Sequence, residues 1–328
     1  MNKKAKTYKV KEKDAGKRLD VFLVEQLSLS RSKVKKMSDA HLFLINNREP
    51  RKAGDTLRTG DMVSVKNATS SADVLSLKGN KGPKSKDPKI KVIAEAKDYV
   101  VIDKPHGLLV HPTEAGESST LTSWLVKKYP EIKKVGDNPD QRPGIVHRLD
   151  KEASGLLVVA RNQKMFDCLK RQFQERTIEK MYCVLVYGNV KTDHGFIDFD
   201  IDRGKDGKMV SRPKIDKLKV KNVLKIQEGK EALTEFFVVK RFKRFTLLEI
   251  KIHTGRTHQI RVHMFAFNHP VVGDMLYYNK KLTKKGDRAL DRLFLHAEKL
   301  GFDDVQGVRV HFESPISYDL NSFLNELV

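Results

Sequence analysis

Sorted into apolar and polar positions, the chain breaks into a short head and a longer body. In the head, Leu19, Phe22, Leu23 and Leu27 recur at helical spacing, which predicts a helix with one buried stripe. Ser30 reads as the N-cap of a second helix running from Arg31 to about Asp39. A strand over 41–46, a turn at Asn46-Asn47 and a further strand to Val65, with Gly60-Asp61 as its turn chemistry, complete the head. Residues 67–91 are rich in Ser, Gly, Pro and Lys and read as a flexible basic linker. The body shows a strand pair over 92–103, a short strand at Ile145-Val146 and a strand over 155–160. A helix over 163–176 aligns Met165, Phe166, Leu169 and Phe173 on one face. The strand over 181–188 alternates Tyr182, Val184 and Val186 against Cys183, Leu185 and Tyr187. Another strand covers 246–252, and Thr257 caps a helix through about Asn268. With no βαβ regularity and no GxGxxG, a nucleotide-cofactor fold is disfavoured. The pattern fits the α+β class: a small α/β domain (1–66), a linker (67–91), and a body (92–328) built on a mixed, largely antiparallel sheet flanked by helices.

Composition narrows the partners. The 328 residues, 39% hydrophobic, suffice for two domains with real cores. No apolar run approaches the ~18 residues of a membrane-spanning helix. The basic N-terminus lacks an apolar segment behind it and is not a signal peptide. Cys168 and Cys183 are the only cysteines and form no CxxC, which excludes a disulfide framework and a cysteine zinc site and points to a reducing cytoplasm. The formal charge of +22 marks a chain that meets a polyanion, and more than half of that excess lies in residues 1–91. Nucleic acid is the expected partner.

Against that basic background, HRLDKEASG sets one carboxylate, Asp150, in a loop between two strands, where a rigid scaffold can hold a reacting group. Ser154-Gly155 lets a second backbone or a substrate come close. Taken alone, Asp150 equally suits a structural carboxylate that caps a turn or pairs with Arg148. In IHTGRTHQIRVH, Arg256 falls at a strand-to-helix turn, an anion site in the making, and Arg261 lies one turn inside the helix with a fork that suits a carboxylate. His258 and His263 lack the i,i+4 pairing of a zinc helix, so no metal site is expected. Tyr182, on a buried strand face, reads by itself as core. IDKPHGLLVHP makes a turn at Lys104-Pro105 and Gly107 leading to His111.

Together these segments resemble a family. HRLDKEASG, the Tyr182 strand, TGRTHQIRVH followed by HPVVGD, and DKPHGLLVHP stand in the order and spacing of the RluA-type pseudouridine synthases, over roughly 92–328. The head resembles the S4-like RNA-binding module through RLDVFL, SRSKVKK and GDMVSV, with Ala40-His41 where a glycine is usual. The resemblance implies isomerisation of uridine to pseudouridine without cofactor or metal. It makes Asp150 the nucleophile or its equivalent, Tyr182 the base-contacting acid/base group, and Arg261 the partner of the aspartate. Arg148 is then expected to enter the RNA stack. His147, Arg256 and Lys104 in the body, and Arg18, Arg31, Ser32, Lys33, Lys35 and Lys36 in the head, become RNA contacts. Ala153 replaces a usual threonine and Val184 a usual alanine. Attack at the ribose C1′, addition at C6 of uracil and a glycal route all remain open. Large-subunit ribosomal RNA is the expected substrate, transfer RNA the alternative, and the chain is taken as monomeric by default. A non-catalytic RNA-binding assembly factor and an RNA N-glycosylase are the competing readings.

Overall fold

The computed structural model describes residues 6–27, 34, 37, 42–50, 54–65, 88–113, 117, 119–204, 207–213, 229–282 and 290–327. Two compact units emerge, one formed by 1–85 with 113–116 and the other by the rest.

In the head, strand β1 (Lys6–Lys9), helix α1 (Leu19–Leu27), β2 (Phe43–Ile45) and β3 (Met62–Val65) surround one small core. The strands pair antiparallel in the order β1-β3-β2. Helix α1 buries Leu19, Phe22 and Leu23 while Leu27 packs at the margin, which is the predicted stripe. Asn46 and Asn47 take φ of 50° and 63°, and Ile45 and Arg48 exchange backbone hydrogen bonds. That is the primed turn that Asn tolerates best after Gly. Of the second predicted helix, Val34 and Met37 are buried in this core. Its Ser30 cap, Arg31, Ser32, Lys33, Lys35 and Lys36, the strand start at His41, and the linker up to residue 87 lie outside the described residues.

The body comprises β4 (Lys91–Glu95), β5 (Tyr99–Lys104), α2 (Leu121–Lys128), β6 (Ser154–Ala160), α3 (Gln163–Glu175), β7 (Glu179–Tyr187), β8 (His194–Arg203), β9 (Met209–Pro213), β10 (Leu233–Arg241), β11 (Phe245–Ile252), α4 (Gln259–Ala266), β12 (Leu295–Asp303), β13 (Arg309–Glu313) and α5 (Tyr318–Asn325). Among the described residues its ten strands form one sheet in the order β4-β5-β6-β12-β7-β11-β10-β8-β9, with β13 beside β12. The β6–β12 pair is parallel and the rest are antiparallel. The alternation in β7 does what its sequence foretells. Tyr182, Val184 and Val186 join Leu248, Ile250, Ile260 and Met264 on one face, and Cys183 and Leu185 join Phe294, Leu320 and Phe323 on the other. Helix α3 buries Met165, Phe166 and Leu169 against Leu156, Val158 and Phe302.

Two local expectations are corrected. Ile145-Val146 is not a strand: Ile145 makes only an isolated bridge to Val159. Thr257 does not cap α4, because His258 occupies the N-cap position in a left-handed conformation (φ 56°) without a side-chain cap. The turn's donors are satisfied instead by Gln259, whose Oε1 accepts from Arg256 N (3.0 Å) and Thr254 Oγ1 (2.7 Å). The same amide donates to Leu233 O and Thr234 Oγ1 of β10, so the turn is stapled to the sheet from inside the helix.

The central crossing of β6 and β12 positions the site. Gly155 has φ of 115°, and a Cβ there would fall on the backbone of Ala297. A close backbone approach was one of the two uses expected of Ser154-Gly155, and here the neighbour is β12.

Candidate active site

Asp150 lies on the loop entering β6, its side chain 14% exposed. Facing it is Arg261 from the first turn of α4, 4% exposed. Arg261 directs its fork away from Asp150: Nε and Nη2 donate to Asp274 Oδ2 (2.7 Å) and Oδ1 (2.8 Å). Asp274 is fully buried and also accepts the backbone N–H of Leu276 and Tyr277. A bidentate pair of this kind fixes the plane of the guanidinium. The remaining amino group, Nη1, thereby points at Asp150 Oδ2 (3.4 Å) and Glu152 Oε2 (3.6 Å). Burial alone would lower the pKa of Arg261. The hydrogen bonds and charge of Asp274, with Asp150 and Glu152, more than offset this and hold it above the ordinary arginine value.

A second group approaches Asp150 from the turn before α4. His258 Nε2 stands 4.0 Å from Asp150 Oδ1, and its Nδ1 is 2.9 Å from Tyr277 Oη. Tyr277 Oη accepts the backbone N–H of Met209 from β9 (3.2 Å). Arg261 lies over the Tyr277 ring, 5.3 Å from its centroid.

Tyr182 rises from β7 into the same place. Burial, and then the charge of Asp150, push its phenol well above the ordinary tyrosine value, so it keeps its proton. A cavity of about 90 Å³ contains Asp150, Tyr182, His258 and Arg261. It adjoins a cleft of about 500 Å³, the two sharing Arg148, Tyr182, Ile252, Gly255 and Arg256. The larger cleft also draws on Arg142, Arg176, Lys180 and Lys251, so its wall is basic. Arg148 is exposed at the junction of the two spaces. Arg256 lines both spaces while its Nε donates to Glu231 O (3.0 Å). His111, on the cleft wall, is kept neutral: burial first, then Arg142 and Arg148, lower its pKa to about 4.

Three other sequence candidates make contacts within the protein, and of these His147 also lines the larger cleft. Lys104 is fully buried and is corrected from an RNA contact to an internal tie. Its ammonium donates to the carbonyls of Pro105 (2.9 Å), Leu108 (2.9 Å) and Lys151 (3.3 Å), binding the 105–108 turn to the residue after Asp150. Burial lowers its pKa to about 7. His147 stacks near Phe173, and its Nε2 accepts the backbone N–H of Val158 (3.1 Å), so one edge of the ring is used to hold the loop onto β6. Burial, then Lys180, lower it to about 3. Arg18 in the head forks onto both oxygens of Asp20 (3.0 and 2.9 Å), which compensates its charge.

Sequence reasoning passed over Asp274, Gln259, His258 and Tyr277 as site residues. For Asp274, His258 and Gln259 the signal was present in HPVVGD and in the Thr-His-Gln of TGRTHQIRVH, but spacing along the chain does not reveal that α4 is anchored through them, and Tyr277 lies outside both motifs.

The fold and this constellation define an enzyme class that acts on RNA bases. A family model described as RNA pseudouridylate synthase matches residues 98–266. The chain belongs to the RNA pseudouridine synthase family, an isomerase family, and to its RluA type. It is 42% identical over 263 residues to an uncharacterized RNA pseudouridine synthase of Aquifex aeolicus (strain VF5), covering 79% of this chain and 76% of that one. With ribosomal large subunit pseudouridine synthase D of Xanthomonas campestris pv. campestris it shares 33% over 328 residues, 97% of this chain and 91% of that protein. The solved structure of human RNA pseudouridylate synthase domain containing 4 matches the fold with a TM-score of 0.58 at 24% identity, over 72% of this chain and 92% of that one. No helix among the described residues is long and apolar enough to cross a membrane.

Proposed function

We propose that the chain isomerises a uridine of large-subunit ribosomal RNA to pseudouridine, with Asp150 as the carboxylate that acts on the nucleoside. One observation carries this reading: Asp150 stands at the inner end of a basic cleft, its Oδ2 facing the fixed Nη1 of Arg261. Attack at C1′, addition at C6 and removal of the 2′ proton all require a carboxylate, and the fixed cation of Arg261 orients this one. The basic cleft supplies the field that gathers the phosphates. Uracil must leave the stack to reach Asp150, and in this reading Arg148, exposed at the cleft junction, enters the gap. Tyr182 supports the extruded base as a neutral phenol. Its raised pKa argues against the phenolate that removal of the C5 proton would need. The ribosomal target is supported by the name of the full-length relative in Xanthomonas campestris. The head, read as an S4-like clamp over residues 1–66, adds a second basic surface for a large RNA.

The test is tritium release from RNA labelled at uridine C5, run separately on ribosomal and transfer RNA and paired with assays for RNA binding and for free uracil. Release from ribosomal RNA without free uracil is the expected outcome. Release confined to transfer RNA would move the target, free uracil would indicate glycosidase chemistry, and binding without release would indicate an assembly factor.

A further inference from the structure

The site contains a group that the roles above leave unused. His258 sits at the N-cap of α4 with φ of 56°, a backbone region unfavourable for a side-chain-bearing residue. Its side chain makes no capping bond. The helix therefore gains nothing from a histidine here that glycine or asparagine would not supply more cheaply. What the strained backbone achieves is direction: the imidazole lies between Tyr277 and Asp150.

The hydrogen-bond chain sets its tautomer. Met209 N–H donates to Tyr277 Oη, so that oxygen already acts as an acceptor and its single O–H is free to turn to His258 Nδ1. Nδ1 then accepts, and the proton of the neutral ring sits on Nε2. Desolvation lowers the pKa of His258, which agrees with a neutral ring; Asp150, Asp274 and Glu152 oppose that shift and Arg261 reinforces it. Nε2–H faces Asp150 Oδ1 at 4.0 Å, whereas Arg261 Nη1 faces Oδ2 at 3.4 Å. Each carboxylate oxygen thus has its own donor, one cationic and one neutral. Both contacts are long for hydrogen bonds, a looseness that catalytic contacts lose when a substrate tightens them.

We propose that His258 is a positioning residue for Asp150, a neutral Nε2–H donor whose tautomer is fixed by Tyr277 and, through it, by strand β9. Arg261 faces one carboxylate oxygen and His258 the other, which sets the rotation about Cβ–Cγ, so that the two oxygens are not equivalent when the nucleoside arrives. The inference rests on Asp150 being the acting group.

The test uses the full chain and three variants. His258→Gly removes the side chain and relieves the backbone, so it folds at least as well as wild type. His258→Gln restores an N–H near the Nε2 position, and Tyr277→Phe removes the donor to Nδ1. In the C5 tritium-release assay, His258→Gly is expected to lower kcat roughly ten- to a hundredfold with KM for RNA little changed, as loss of an orienting partner does. His258→Gln recovers a substantial part of kcat. Nitrogen-15 NMR of the wild-type imidazole shows the proton on Nε2, and in Tyr277→Phe the two tautomers mix. Wild-type kcat in His258→Gly, or a proton on Nδ1 in the wild type, overturns the proposal. If Asp150→Asn is itself fully active, the reading of the site falls. If Asp150→Asn is inactive while His258→Gly is not, only the role of His258 falls.

Discussion

The guanidinium of Arg261 commits its fork to Asp274 and leaves one amino group for Asp150. This division makes Asp274, which touches no substrate space, as necessary as the residue it holds. Replacing Asp274 by Asn leaves a buried guanidinium without its counter-charge, and is expected to destabilise the fold by about 3–5 kcal/mol in urea unfolding and to lower kcat more than it alters KM. An Asp274→Asn protein of unchanged stability would show that the pair is not what fixes the arginine. Lys104 is instructive in the opposite way. In DKPHG it looks like one more phosphate-binding lysine, yet its three N–H are shared among three carbonyls. Lys104→Met is expected to cost roughly 1–3 kcal/mol of stability and to leave the salt slope of RNA binding unchanged, whereas loss of a phosphate contact would lower that slope by about 1. Nothing in residue type distinguishes the two uses; only the three-dimensional closure of the 105–108 turn on Lys151 does.

Among the elements, the short parallel contact of β6 with β12 carries the most consequence for the site, since the Asp150 loop leads directly into it. Gly155→Ala meets both a positive φ and the Ala297 backbone, and is expected to cost roughly 2–4 kcal/mol in thermal or urea unfolding. Gly107→Ala, also at positive φ (79°) but with open space around the added carbon, is expected to cost only about 1–2 kcal/mol. Equal penalties would mean that the close approach contributes nothing. Elements with clean periodicity were legible: α1, α3, and β7 with its two faces. Others were not, for identifiable reasons. The KTYK stretch of β1 has no alternation to detect and is a strand because β3 pairs with it. In β12 a register shift between Ala297 and Lys299 interrupts the two-residue period. Helix α4 reads plainly as a helix, but its start was misplaced because no side chain caps it and Gln259, at its first position, ties the preceding turn instead.

Over the whole molecule, charge and protonation set the working range. His147 is neutral in the fold, its pKa lowered from 6.5 to about 3 by burial and then by Lys180. Between those values the unfolded chain binds a proton that the folded chain does not, so stability falls as the pH drops through that window. The contribution is at most about 1.4 kcal/mol per pH unit. In His147→Gln, which keeps an acceptor for Val158 N–H, this part of the acid sensitivity should disappear; an unchanged pH profile would place the loss elsewhere. The family and the sheet class were legible in the sequence because the motifs that carry them are contiguous. The site's supporting layer was not, because Asp274 and Tyr277 reach it from a loop beyond α4 and Met209 from β9. The most direct test of the account compares wild type with Asp150→Asn on C5-tritiated ribosomal RNA at saturating concentration, with RNA binding measured alongside. The account predicts that release falls by at least about a thousandfold while affinity stays within about threefold. Tritium release by Asp150→Asn at anything near the wild-type rate would contradict it.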